Sequence, residues 1–131
     1  MARILIVDDD EQVRTMLRIT FEEAGYEAGE APDGSAAIRR QRENPADLVI
    51  TDLIMPEKEG LETIMDLRKE WPGARIIAIS GGGRLVPGDY LLHARRLGAN
   101  RVFRKPIDRK KLLGAVRELL EEAAATGRPE A

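Results

Sequence analysis

The chain has 131 residues, 43% of them hydrophobic, a size and composition that suit one domain with a packed core. It contains no cysteine, which excludes a disulfide framework, a thiolate metal site and a cysteine nucleophile. Net charge is only −2, yet residues 1–65 carry 15 acids against 7 bases and residues 66–131 carry 8 against 14.

The basic second half lacks interleaved stacking residues, aromatic content being 4% of the whole, so the composition argues against direct nucleic-acid binding. Solvated helix faces or a protein-partner surface account for the charge better. The apolar run in MARILIVDDD is too short for a secretory signal, and no later stretch is long enough to span a bilayer. The simplest expectation is a cytoplasmic protein with no membrane association.

In chain order, Ile4 to Val7 is a short apolar run bounded by charge, which predicts a central strand. Asp10 then opens a helical pattern in which Val13, Leu17, Phe21 and Ala24 recur on one face, with Met16 and Thr20 alongside and Gly25 as the stop. Tyr26 to Ala31 is mixed in polarity and predicts an edge strand before the Pro32, Asp33, Gly34 turn. Ser35 to about Glu43 predicts a second helix burying Ala36, Ala37 and Ile38.

Leu48, Val49 and Ile50 read as a strand buried on both faces and ending on Asp52. Glu59 to Trp71 predicts the next helix, with Leu61, Ile64, Leu67 and Trp71 inward and Pro72 and Gly73 ending it. Arg75 to Ser80 predicts a fourth strand, running into the permissive loop GGGRLVPGD. A helix over Tyr90 to Leu97 closed by Gly98, a strand over Arg101 to Phe103, and a last helix capped by Asp108 follow. That helix would bury Leu112, Val116, Leu119, Leu120 and Ala123, and residues 126–131 form a short tail.

Five alternations of strand and helix predict an α/β fold with a doubly wound, parallel, five-stranded sheet covered on both faces. In such sheets ligands bind beyond the carboxyl ends of the strands. Asp8, Asp9, Asp52, Ser80 and Lys105 all stand at those ends. Three converging carboxylates repel one another, and a hard divalent cation relieves them; Mg²⁺ suits a site of carboxylates, water and phosphate oxygens. Beside such an ion Asp52 could act as a nucleophile toward phosphorus, with Lys105 as a point charge, Ser80 as a hydroxyl donor, and backbone N–H groups of Gly81 and Gly82 completing a cradle.

Four stretches, ILIVDDDE, DLVITDLIMPEKEG, IIAISGG and RVFRKPI, stand in an order and spacing that resemble the receiver domain of two-component response regulators, of the single-domain, CheY-like kind. The resemblance covers about Arg3 to Ala124, within a receiver domain spanning residues 1–125. It implies a flavodoxin-like (βα)5 fold with strand order 2-1-3-4-5. It also implies that Asp52 is a phosphoacceptor served by a sensor histidine kinase or histidine phosphotransfer protein. On that pattern Asp9 binds Mg²⁺ directly and Asp8 through water, the backbone carbonyl of Ile54 is a further ligand, Ser80 and Lys105 hold the phosphoryl oxygens, and Lys105–Pro106 is a cis peptide. Asp10 instead starts the helix.

Output would pass to a downstream protein by phosphorylation-dependent binding or onward through a phosphorelay, with homodimerisation left open. The chain is expected to stand without an attached output domain and to promote its own phosphorylation and dephosphorylation without a separate turnover reaction. It departs from the family at three places. Val102 stands where an aromatic usually lies three residues before the lysine, the loop after Ser80 is long, and neither Ile54 nor Gly82 offers a polar group to position attacking water.

One rival reading is a Mg²⁺-dependent phosphatase resembling haloacid dehalogenases, but that family expects a second Asp two positions after the nucleophile, where this chain has Ile54. Another is a phosphate-independent interaction module, which the full set of Asp8, Asp9, Asp52 and Lys105 argues against. Flavin binding would want aromatics to sandwich the ring, and they are missing. His93 reads as an exposed helix residue, Trp71 and Tyr90 as packing or rim residues, and the glycine triplet lacks the GxxxxGK[ST] pattern of a nucleotide loop.

Overall fold

The computed structural model describes residues 1–53, 60–80 and 88–125, with the side chains of 88–91, 93 and 123–125 left aside. Strands β1 (Arg3–Val7), β2 (Glu27–Ala31), β3 (Leu48–Asp52), β4 (Arg75–Ser80) and β5 (Arg101–Arg104) alternate with helices. The helices are α1 (Glu11–Glu23), α2 (Gly34–Glu43), α3 (Gly60–Glu70), α4 (Gly88–Leu97) and α5 (Arg109–Ala125). All strand pairs are parallel and the order is β2-β1-β3-β4-β5. This is the flavodoxin-like order that the resemblance implied.

The order explains the layers. From β1 the chain steps one way to β2, then reverses across β1 to β3 and continues outward, so right-handed crossovers place α1 on one face and α2 to α4 on the other. The pleat sorts the strand residues accordingly. Ile4, Ile6, Leu48, Ile50, Ile77 and Ile79 pack with Leu17 and Phe21 of α1 and Leu112, Val116 and Leu119 of α5. Leu5, Val7, Val49, Ile76 and Ala78 pack with Ala36, Ala37, Ile64, Leu67 and Ala94 of α2 to α4. A fully buried side chain such as Phe21 contributes about 1.5–3 kcal/mol by leaving water.

Local chemistry sets the helix ends. Asp10 Oδ1 accepts from the amides of Gln12 and Val13, Asp33 Oδ1 from Ala36, and Asp108 Oδ1 from Lys111, each satisfying an N–H with no partner inside its helix. Gly25 and Gly98 take positive φ after α1 and α4, a conformation that costs glycine little. Ala24, expected on the buried face of α1, is instead the exposed C-cap, because the helix ends at Glu23 and the face ends with it. Arg104 extends β5 by one residue beyond the expected strand, paired with Ser80.

At the opposite end from the carboxylates, Arg68 ties three elements together. Its guanidinium donates to the carbonyls of Pro72, Ala74 and Gly98 and to Asn100 Oδ1, which also accepts from the Ile76 amide. Burial, reinforced by the like charge of Arg75, pulls the Arg68 pKa below its ordinary value. No described helix is long and apolar enough to cross a membrane.

Candidate functional site

β1 and β3 are adjacent and parallel, with Val7 level with Thr51, so both strands deliver their C-terminal residues to the same place. Asp8 follows β1 and is 2% exposed; Asp52 closes β3 and is 5% exposed; Asp9 beside them is open to solvent. Oxygens from these three carboxylates all lie within 4.8 Å of one another. Asp10, the next acid, is spent on the α1 N-cap, as its place in the sequence implied.

The far side of the sheet supplies the countercharge. Lys105, just past β5, places Nζ 3.2 Å from Asp8 Oδ2 and 3.6 Å from Asp52 Oδ2. Its own amide donates to the carbonyl of Ser80 at 3.1 Å, and Ser80 is fully buried at the end of β4. The Lys105–Pro106 peptide is cis. Four strand ends thus meet at one rim, and Asp8, Asp9, Asp52, Ser80 and Lys105 are gathered there. Ile54, Gly81 and Gly82 lie outside the described residues, as do residues 126–131; position 93 falls in α4.

Asp8 is held from every side. Its amide donates to the Ala31 carbonyl of β2, its Oδ1 accepts from the Asp10 amide, its Oδ2 takes Lys105, and its carbonyl accepts from Arg14 Nη1 at 2.7 Å. Even so, burial pushes its carboxyl above the usual carboxylate range, against the lowering pull of the Asp10 amide and of Lys105, and the charge of Asp9 adds to the rise. Burial works the other way on Lys105, but the charges of Asp52 and Asp8 outweigh it and hold the ammonium above its ordinary value.

The donor set suits a hard divalent ion. It is all oxygen, it carries three carboxylates against the single lysine, and burial leaves Asp8 with charge the protein does not fully compensate. Mg²⁺ favours one or two carboxylates together with water and phosphate oxygens, and of the three acids here Asp9 is open to solvent.

One residue of the site had no reading from sequence. Gly60 opens α3, donates its amide to the Leu53 carbonyl at 3.0 Å, and lies so close to β3 that a Cβ there would overlap the carbonyl oxygen of Asp52 and the Cα of Leu53. The signal was present, since Gly60 ends the DLVITDLIMPEKEG stretch, but a helix-start glycine is ordinary until the approach is seen. Val102 packs against the layer of α2 to α4, while Phe103 packs on the α1 and α5 side, so the aromatic faces away from the layer that Val102 joins.

Comparison with known proteins agrees with this geometry. The family model for the response regulator receiver domain matches residues 4–117. The chemotaxis protein CheY of Thermotoga maritima is 35% identical over 118 residues, covering 89% of this chain and 96% of that one. The DNA-binding transcriptional regulator NtrC of Azospirillum brasilense is 34% identical over 119 residues, 91% of this chain but 24% of NtrC. Among solved structures, a CheY-like receiver domain protein from Methanospirillum hungatei superimposes with a TM-score of 0.87 at 28% identity, covering 96% of this chain and 98% of that one.

Proposed function

Since the chain belongs to the response regulator receiver family, we propose that Asp52 is its phosphoacceptor and that a phosphohistidine on a sensor histidine kinase or phosphotransfer protein is the donor. The observation that carries the reading is Lys105, whose ammonium is shared between Asp8 and Asp52 at 3.2 and 3.6 Å. A partly buried lysine held against the nucleophile is a fixed positive charge where phosphoryl oxygens arrive.

An Asp52 carboxylate oxygen forms the new O–P bond. The P–N bond of the donor breaks, its electron pair goes to the ring nitrogen, and that nitrogen takes a proton from water. Lys105 receives the charge on the moving phosphoryl group, and the Ser80 hydroxyl is the donor assigned to a second phosphoryl oxygen. Mg²⁺, when bound, would neutralise further charge on that group; Asp8, Asp9 and Asp52 would hold it, with the Ile54 carbonyl as the remaining protein ligand.

The product is a carboxyl phosphate on the chain itself, so no separate substrate is turned over. The residue two positions beyond Asp52 is Ile54 and not a second Asp, which removes the acid that phosphatases of the aspartyl-nucleophile kind use. The signal is a phosphorylation-dependent change in binding to a downstream protein. Incubating the chain with Mg²⁺ and acetyl phosphate, then with beryllofluoride, and comparing wild type with Asp52→Asn by intact mass and fluorine NMR tests this. An adduct on wild type that Asp52→Asn lacks is expected; no adduct, or one that survives Asp52→Asn, refutes it.

A further inference from the structure

The Asp8 carbonyl is oriented by a side chain that the phosphoryl-transfer chemistry does not use. Arg14, on the first turns of α1, donates Nη1 to that carbonyl at 2.7 Å and Nε to Glu30 Oε1 at 3.1 Å. Glu30 belongs to β2, and its second oxygen is taken by Arg18 Nε at 2.9 Å, so the carboxylate is clamped between two arginines of one helix. The Arg14 side chain is only 15% exposed, and a planar guanidinium with two of its donors fixed has little freedom left.

We propose that Arg14 is a positioning residue for the acidic pair Asp8–Asp9, fixing the peptide between them through its bond to the Asp8 carbonyl and its brace on Glu30; the inference rests on the reading of these acids as a divalent-cation site. The Asp8 carbonyl and the Asp9 amide belong to one planar peptide unit, so the direction of the carbonyl sets the direction in which Asp9 leaves the strand. The Asp8 carboxylate is already fixed by the Asp10 amide and Lys105. Asp9 is exposed, and among the described residues no hydrogen bond or ion pair restrains its side chain. Arg14 therefore supplies the restraint on the ligand that has least of its own.

The proposal makes a prediction opposite in sign to simple electrostatics. Deleting a positive charge near three carboxylates should tighten binding of a cation. Loss of the orienting bond should weaken it, by about tenfold, as supporting bonds around metal ligands typically do.

The experiment is calorimetric titration of the full chain with Mg²⁺ alone, using wild type, Arg14→Met, Arg14→Lys and the control Arg42→Gln, which removes an equal charge from an exposed pair with Glu70. Arg14→Met is expected to bind Mg²⁺ about tenfold more weakly than wild type. Arg14→Lys is expected to fall short of wild type as well, because one ammonium cannot reproduce the fork between carbonyl and carboxylate; Arg42→Gln should bind normally. If Arg14→Met does not fold, Arg14→Lys carries the test. Unchanged or tighter binding in a folded Arg14 variant, or equal weakening in Arg42→Gln, overturns the proposal while leaving Asp52 as phosphoacceptor. Failure of the wild type to bind Mg²⁺ overturns both.

Discussion

Gly60 lies against Asp52 so closely that no side chain fits between the start of α3 and the carbonyl that ends β3. The approach leaves the Gly60 amide bonded to the Leu53 carbonyl, directly after the proposed phosphoacceptor. Gly60→Ala must push α3 away or displace β3. A loss of about 1–3 kcal/mol is expected from overpacking alone, measured by urea unfolding, together with slower labelling of Asp52 by acetyl phosphate. Unfolding and labelling unchanged from wild type would mean that the approach is not needed.

Lys105 is expected to matter for transfer and not for metal binding. Lys105→Ala removes a positive charge that competes with a cation for Asp8 and Asp52, so Mg²⁺ affinity should hold or rise. Labelling of Asp52 should slow by about 10–100-fold, the range for losing one charge-assisted hydrogen bond in the transition state. Equal weakening of both would place the lysine in maintaining the carboxylate geometry instead.

The strand ends were legible in the sequence because each apolar run stops on a charge or hydroxyl, and a strand buried on both faces cannot end on a lone charge such as Asp52 without partners. The winding order was not legible from periodicity alone; it came with the resemblance. Arg14 and Gly60 escaped for different reasons. Arg14 sits beside the apolar stripe of Val13 and Leu17 as an ordinary charged helix residue; its partners are a backbone carbonyl just past β1, Asp8, and a side chain on β2, Glu30, and helical periodicity points to neither. For Gly60 the information was an absence of atoms, which acquires meaning only once β3 is beside it.

Asp8 should oppose stability in the metal-free protein. Its folded pKa is raised, so its contribution to stability is fully present below its unfolded value of 3.8 and is lost as pH rises through the folded value. At pH 7 the ionised carboxylate is therefore a cost. Asp8→Asn, whose side-chain oxygen can still accept from the Asp10 amide, should melt higher than wild type in EDTA at pH 7. The gap should narrow as pH falls toward the carboxylate range. A lower melting point for Asp8→Asn at pH 7 would contradict this account of burial.

Arg68 separates fold from site. It holds four oxygen acceptors at the end of the sheet away from the carboxylates, so Arg68→Met should destabilise the chain by about 2–4 kcal/mol through orphaned carbonyls. The folded fraction should bind Mg²⁺ with wild-type affinity. A parallel loss of affinity would show that this end of α3 and β4 is coupled to the acidic rim.

The phosphorylated state should be long-lived. Hydrolysis of an acyl phosphate needs a water aligned opposite the Asp52 oxygen, and alignment needs a hydrogen-bonding group beside the phosphorus. The two sequence positions where the family varies such groups are Ile54 and Gly82, and neither side chain can hold a water. In the role proposed for it, Lys105 would stabilise the phosphoryl oxygens in both directions of transfer, so its presence beside Asp52 does not favour hydrolysis over retention. Phosphate release after removal of acetyl phosphate, followed in Mg²⁺ by intact mass, should therefore be slow, and a polar residue at position 54 or 82, such as Ile54→Asn or Gly82→Glu, should accelerate it. A half-life of seconds in the wild type would show that water is positioned by some other group.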